Sequence, residues 1–159
     1  MNVRPHVFRA RLRWAGAAHG ATTSYRAYSR DYVVEADGKP ALRGSADPHF
    51  LGDGSAYNPE DLLVAALSAC HLLSYLALCA RAGIAVASYE DDAHGEMTLI
   101  DGVMRFREVV LRPRVALADA SRIQEAEALH AKAHAECFIA NSVNFPVHHE
   151  AVVTAVQPA

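Results

Sequence analysis

The residues with most chemistry to offer are three cysteines, Cys70, Cys79 and Cys137. A thiolate is a nucleophile and a metal ligand, and two thiols that meet form a reversible redox couple. Cys70 and Cys79 stand nine positions apart in one apolar stretch that reads as a helix. Nine steps of about 100° put them on opposite faces, roughly 13.5 Å apart along the axis. Bridged Cα atoms lie within about 7 Å, so these two cannot pair. A disulfide, if one forms, must join Cys137 to one of the others. Cys79, between Leu78 and Ala80, reads as a small buried hydrophobe. Cys70 is also set among apolar residues, where burial would silence it. An active thiolate there needs a cation brought in from elsewhere in the chain.

A second donor set competes for Cys137. His130, His134 and Cys137 fall at i, i+4 and i+7 and share one helical face. With Cys70 they would make a Cys2His2 zinc set. The bland alternative leaves His130 and His134 on an exposed face beside Lys132 and Glu136. His148 and His149 are weaker candidates. His71 follows Cys70 about 100° round the helix and is expected to be a hydrogen-bonded packing residue. A third reading is non-catalytic, a dimer that binds an apolar ligand while its cysteines are merely buried.

The elements that must position these groups can be read from pattern. Residues 6–15 and 23–35 read as strands, and 41–45 as a third after the Asp37-Gly38 turn. Residues 46–57, with Pro48, Gly52, Asp53 and Gly54, are loop. Asn58, Pro59, Glu60 and Asp61 form a helix start, and Gly83 forms its stop. Residues 85–99 and 103–117 read as a long hairpin through Asp101-Gly102. Residues 119–136 are helical, with Asp119 or Ser121 as cap, and 147–156 form a last strand. Hairpins beside two long helices predict an α+β fold in one domain spanning 1–159.

Composition excludes several classes. The chain has 159 residues, 52% of them apolar and 21% charged, with a net charge of -3. There is no cationic excess to hold nucleic acid. The arginines at 4, 9, 11 and 13 are spaced for the wet face of a strand. From Leu62 to Ala80 no Asp, Glu, Lys or Arg occurs, a length near that of a membrane span. Ser68, His71, Ser74 and the many alanines favour a helix buried on nearly all sides of a soluble protein. No apolar stretch follows the first charges, so a cytoplasmic location is expected.

The segment YNPEDLLVAALSACHLLSYL (57–76) resembles the central-helix motif of the OsmC/Ohr family, with Glu60 and Cys70 at the motif's spacing. KAHAECFIANSV (132–143) resembles its second-cysteine motif, although Phe138 stands where Pro is usual. The resemblance covers roughly residues 6–155. It implies an OsmC-like fold, with antiparallel sheets packed around two long central helices in an intertwined homodimer. It implies a cysteine-based peroxidase that reduces organic hydroperoxides. Cys70 would attack as thiolate and Cys137 would resolve the sulfenic acid as a disulfide. By the same resemblance an Arg holds the thiolate and Glu60 orients that Arg. Arg30 has the closest placement before Asp37-Gly38, with Arg26 and Arg43 as alternatives. Leu63, Leu67 and Leu73 would favour alkyl hydroperoxides. A dithiol reductant, by resemblance a lipoyl group, would restore the thiols, and no cofactor is implied. On one straight helix Glu60 and Cys70 lie about 15 Å apart. A kinked start, a bridging Arg or a Glu from the partner subunit would bring Glu60 to the site.

Overall fold

The computed structural model describes residues 4–156. The outermost residues of the expected single domain, 1–3 and 157–159, lie outside it. The chain divides into two compact units, 1–62 and 63–159.

The first unit holds an antiparallel sheet of β1 (Arg11–Trp14), β2 (Tyr32–Glu35) and β3 (Leu42–Gly44), in that order. The expected strands were longer. Residues 4–10 have no regular structure, and the backbone turns into a 3-10 helix at Ala15–His19. The Tyr- and Thr-rich stretch 23–31 pairs with no strand, and only 32–35 do. A β-favouring sequence becomes a strand only where a partner edge is within reach. The next loop is stitched by Asp53, whose carboxylate takes hydrogen bonds from the Ser55 N–H and hydroxyl. Asn58 then caps α1 (Pro59–Arg81) by accepting from Asp61 N at 2.7 Å.

The second unit packs α1 and α2 (Ile123–Glu136) with two three-stranded sheets. The expected long hairpin is four strands. They are β4 (Val86–Asp91), β5 (His94–Ile100), β6 (Val103–Leu111) and β7 (Pro113–Leu117). β5 and β6 form a true hairpin, and Asp101 and Gly102 both have positive φ, the geometry of a type I′ turn. β4 instead pairs with β7 in the other sheet. The chain changes sheet at 92–93 and at Arg112. The last strand is likewise split, into β8 (Val147–His149) and β9 (Val152–Ala155). These pair in parallel with β6 and β7 respectively, so neither sheet is purely antiparallel as expected. The crossing points are tied together. Arg112 N donates to Asp91 at 2.6 Å, Glu150 N donates to Leu111 O at 2.8 Å, and the Arg112 guanidinium meets Glu150 at 3.0 Å.

Two cores result. Tyr75, Leu78, Cys79, Ile84, Val115, Leu117, Ala126, Ala133 and Val153 join both helices to the sheet β4-β7-β9. Leu67, Val109, Leu111 and Val147 join the first half of α1 to the sheet β5-β6-β8, with Phe106 and Phe145 stacked at 5.2 Å beside them. α1 is not buried on nearly all sides. Leu67, His71, Tyr75, Leu78 and Cys79 are inside, while Ala65, Ala69, Leu73 and Ala80 face outward. The helix is long and apolar enough to cross a membrane, with a mean hydropathy of 2.0 over its apolar window. Its buried face is polar at Ser68, whose hydroxyl donates to Asp91 at 2.5 Å, and at His71.

α1 ends as expected. Gly83, with φ 69°, donates to Ala80 O while Ile84 N reaches back to Cys79 O, which satisfies the terminal carbonyls. Nothing obstructs a side chain at Gly83, so Gly83→Ala costs only the left-handed backbone, about 1 kcal/mol. The expected result is a urea midpoint lowered to that extent with the slope unchanged.

Candidate active site

All three cysteines are free thiols. Cys70 lies on α1, one position before the buried His71, and is partly exposed. Cys137 ends α2 and is 1% exposed. The turn that holds it is fully bonded. Its N–H donates to His134 O at 3.2 Å, and its sulfur accepts from Ala140 N at 3.4 Å. The Asn141 amide donates to the carbonyls of Ala135 and Cys137 at 3.0 and 2.9 Å. Burial pushes the Cys137 thiol up to about 11, and the nearby Cys70 side chain adds to the shift. At neutral pH Cys137 is therefore a protonated thiol beside the more open sulfur of Cys70. Cys79 is a core residue, its thiol pushed up by burial against the opposing effect of the Tyr75 hydroxyl beside it. Its burial agrees with the sequence reading of Cys79 as a small core hydrophobe.

An open groove of about 560 Å³ begins one helical turn beyond Cys70. α1 contributes Leu73, Ala77 and Arg81, the end of α2 contributes Glu136, and the turn after it contributes Phe138 and Asn141. Leu73 is 67% and Phe138 82% exposed. Of the leucines expected around the thiol, Leu73 opens to this groove, whereas Leu67 is wholly buried in the core.

Behind the thiols stands a group that spacing only half revealed. His71 Nε2 and His130 Nδ1 are hydrogen-bonded at 3.0 Å, with rings 5.3 Å apart and 8° from parallel. The Tyr75 ring stacks on His130 at 3.9 Å. His149 of β8 packs on His71, His130 and His134 at 5.6, 6.0 and 5.7 Å. His130 is 1% exposed, so the expected exposed face beside Lys132 and Glu136 is incorrect at this position. Alanines at 126 and 133 let α2 bury that side instead. His71 is the hydrogen-bonded packing residue expected of it. The i, i+4 spacing of His130 with His134 was visible in the sequence. Their meeting with His149 depends on the parallel pairing of β8. Burial pushes His71 down to about 4 and His130 down to about 3, with neighbouring histidines adding to both shifts. Among the described residues no three His, Cys, Asp or Glu side chains stand in metal-ligating geometry. The zinc set drawn from spacing is not assembled, because His130 is turned to His71.

In the first unit, Arg30 donates to the carbonyls of Tyr28, at 2.5 Å, and Tyr25. Its guanidinium lies over the Tyr28 ring at 3.8 Å. Glu60 is in the first turn of α1, where its charge and that of Asp61 help burial raise the Tyr32 phenol. Among the described residues neither Arg30 nor Glu60 forms an ion pair. Arg43 does, with Asp31 at 3.4 Å and with Asp53. Arg26 is exposed.

A family model described as OsmC-like protein matches residues 52–151. An OsmC-like protein of unknown function from Vibrio cholerae is 35% identical and superposes with a TM-score of 0.85, covering 93% of this chain and 100% of its own. The organic hydroperoxide resistance protein OhrB of Bacillus subtilis superposes with a TM-score of 0.64 at 18% identity, over 92% of this chain and 98% of its own, a likeness of fold. The uncharacterized protein YmaD of Bacillus subtilis is 27% identical over 95 residues, which are 58% of this chain and 63% of YmaD.

Proposed function

Because the chain belongs to the OsmC-like protein family, as its two cysteine motifs implied, we propose that it reduces organic hydroperoxides to alcohols, with Cys70 attacking and Cys137 resolving. The observation that carries this reading is the pair of free thiols held as neighbours, one partly open and one buried. The name of the OhrB relative, an organic hydroperoxide resistance protein, points the same way.

The Cys70 thiolate attacks the outer peroxide oxygen and the O–O bond breaks. The alkoxide leaves with a proton from solvent as the alcohol, and Cys70 becomes a sulfenic acid. Cys137 then forms the S–S bond, and its proton leaves with the sulfenic hydroxyl as water. A dithiol, of the lipoyl class in this reading, returns two electrons and two protons by exchange and leaves as its own disulfide. The groove beside Leu73 and Phe138 takes the organic substituent, so alkyl and aryl hydroperoxides are preferred to hydrogen peroxide.

A thiolate on an apolar helix needs a counter-charge. We assign that role to Arg30, with Glu60 as the carboxylate that orients it. Both lack an ion pair of their own, whereas Arg43 is already held by two aspartates. The working unit is a cytoplasmic homodimer.

Single-turnover oxidation tests the reading. Reduced protein treated with one equivalent of cumene hydroperoxide is expected to lose two of its three titratable thiols and about 2 Da of mass. An unchanged thiol count in excess peroxide overturns it.

A further inference from the structure

The buried histidine pair has no part in the chemistry described above, yet it occupies core volume that leucine would fill more cheaply. His71 Nδ1 and His130 Nε2 are both buried without a protein partner. Burying a polar group without a partner costs stability, and apolar substitutes for buried polar clusters are often neutral or better. A buried polar contact retained at such a cost has one property that apolar packing lacks, which is direction. Here the direction lies across the two helices that carry the thiols. The bond between His71 and His130 is a buried side-chain hydrogen bond that joins α1 to α2. His71 is the residue after Cys70. His130 is about two turns before Cys137 on the same helical face. The Tyr75 ring stacked on His130 and the His149 ring against both imidazoles hold the pair in plane.

We propose that the His71–His130 hydrogen bond is a clasp that sets the register of α1 against α2 and so holds Cys70 in bridging distance of Cys137. His71 and His130 are then positioning residues for disulfide formation. Neither touches substrate. The proposal rests on the reading that the two thiols form a redox couple.

A clasp has a signature that a stability role lacks. The dithiol–disulfide equilibrium reports how often the two sulfurs meet in the reduced protein, and it can be measured against dithiothreitol without any peroxide. Oxidised dithiothreitol accepts two electrons and two protons from Cys70 and Cys137 and leaves as the dithiol. In His71→Leu the equilibrium constant for the protein disulfide is expected to fall about tenfold, the factor one buried hydrogen bond can set. His71→Gln, whose amide can occupy the place of Nε2, restores most of it. Each single variant strands one imidazole, so the double variant His71→Leu/His130→Leu is measured as well. It is expected to keep or exceed the wild-type urea midpoint while its disulfide remains about tenfold less favoured.

The outcomes separate the two ideas. A wild-type protein that forms no Cys70–Cys137 disulfide at any dithiothreitol ratio removes the redox couple, and the clasp with it. A wild-type disulfide whose equilibrium is the same in His71→Leu and in the double variant overturns the clasp alone. A disulfide that weakens only in proportion to a loss of folding stability also overturns it, since the histidines would then be ordinary core.

Discussion

Cys70→Ser is expected to abolish peroxide reduction, while Cys137→Ser completes one attack and then stalls. The asymmetry follows from the two environments. Cys137 is sealed by its turn and pushed up to about 11, so at neutral pH it is a thiol and has no access to a peroxide. It can act only on an oxidised sulfur brought to it. Cys70 is the partly open sulfur, on the helix that borders the groove. Removing a nucleophile typically costs at least about a thousandfold in rate. Cys70→Ser should thus fall to the uncatalysed background, measured as loss of cumene hydroperoxide with a dithiol in excess. Cys137→Ser should give a burst of one alcohol per protein and a sulfenic acid, trapped by a dimedone-type reagent as a mass adduct on Cys70. Turnover in Cys70→Ser above background would mean that the roles are reversed or that the chemistry lies elsewhere. Cys79→Ala is expected to keep the burst, since Cys79 faces the core on the opposite side of α1.

The second large effect concerns acid. Burial, reinforced by the charges of neighbouring histidines, lowers His71 to about 4 and His130 to about 3, with Asp91 opposing the shift at His71. His149 is lowered as well, by burial first and then by His134 and His148. Free histidine takes its proton near pH 6.5. Between that value and the native one, the unfolded chain binds protons that the native chain refuses. Stability is therefore complete above about pH 6.5 and falls as the pH falls. Each such group contributes a slope of roughly 1 kcal/mol per pH unit while the pH lies inside its window. Domains of this size are stable by about 5–15 kcal/mol, so the loss is a large fraction of the total by pH 4.5. Urea midpoints at pH 7, 6 and 5 should drop in steps in the wild type. They should fall much less steeply in His71→Leu/His130→Leu, where His149 still contributes. Parallel curves for the two proteins would locate the acid sensitivity outside this pair. The window matters, because carboxylates protonate mainly below it and would blur a comparison made at pH 3.

Local signals had determined much of this in advance. The start of α1 was legible because Asn58, Pro59 and the two following carboxylates act on a single helix end. Its stop was legible because Gly83 adopts a backbone that most residues resist. The Asp101-Gly102 turn and the α2 segment belong to the same class, in which neighbours in sequence supply all the forces. The two cysteine motifs were also local, and they carried the family. The Cys70–Cys137 neighbourhood was an expectation from that resemblance, and the opposite-face argument had only excluded Cys79 as a partner for Cys70.

Tertiary structure decided what depends on a partner edge or face. Residues 23–31 have strand-like composition and pair with no strand, because no neighbouring edge accepts their hydrogen bonds. The stretch 147–156 splits in two because β6 and β7 belong to different sheets and each takes a parallel partner. α1 shows an apolar strip to the outside although its sequence is apolar all round. Its composition says that every face could be buried, and only the packing says which face is. His130 shows the converse. Its neighbours Lys132 and Glu136 mark a wet helix, but the face that carries His130 meets α1 and β8. A histidine is buried or exposed according to whether another group arrives to take its hydrogen bond, and here that group is His71, 59 residues away.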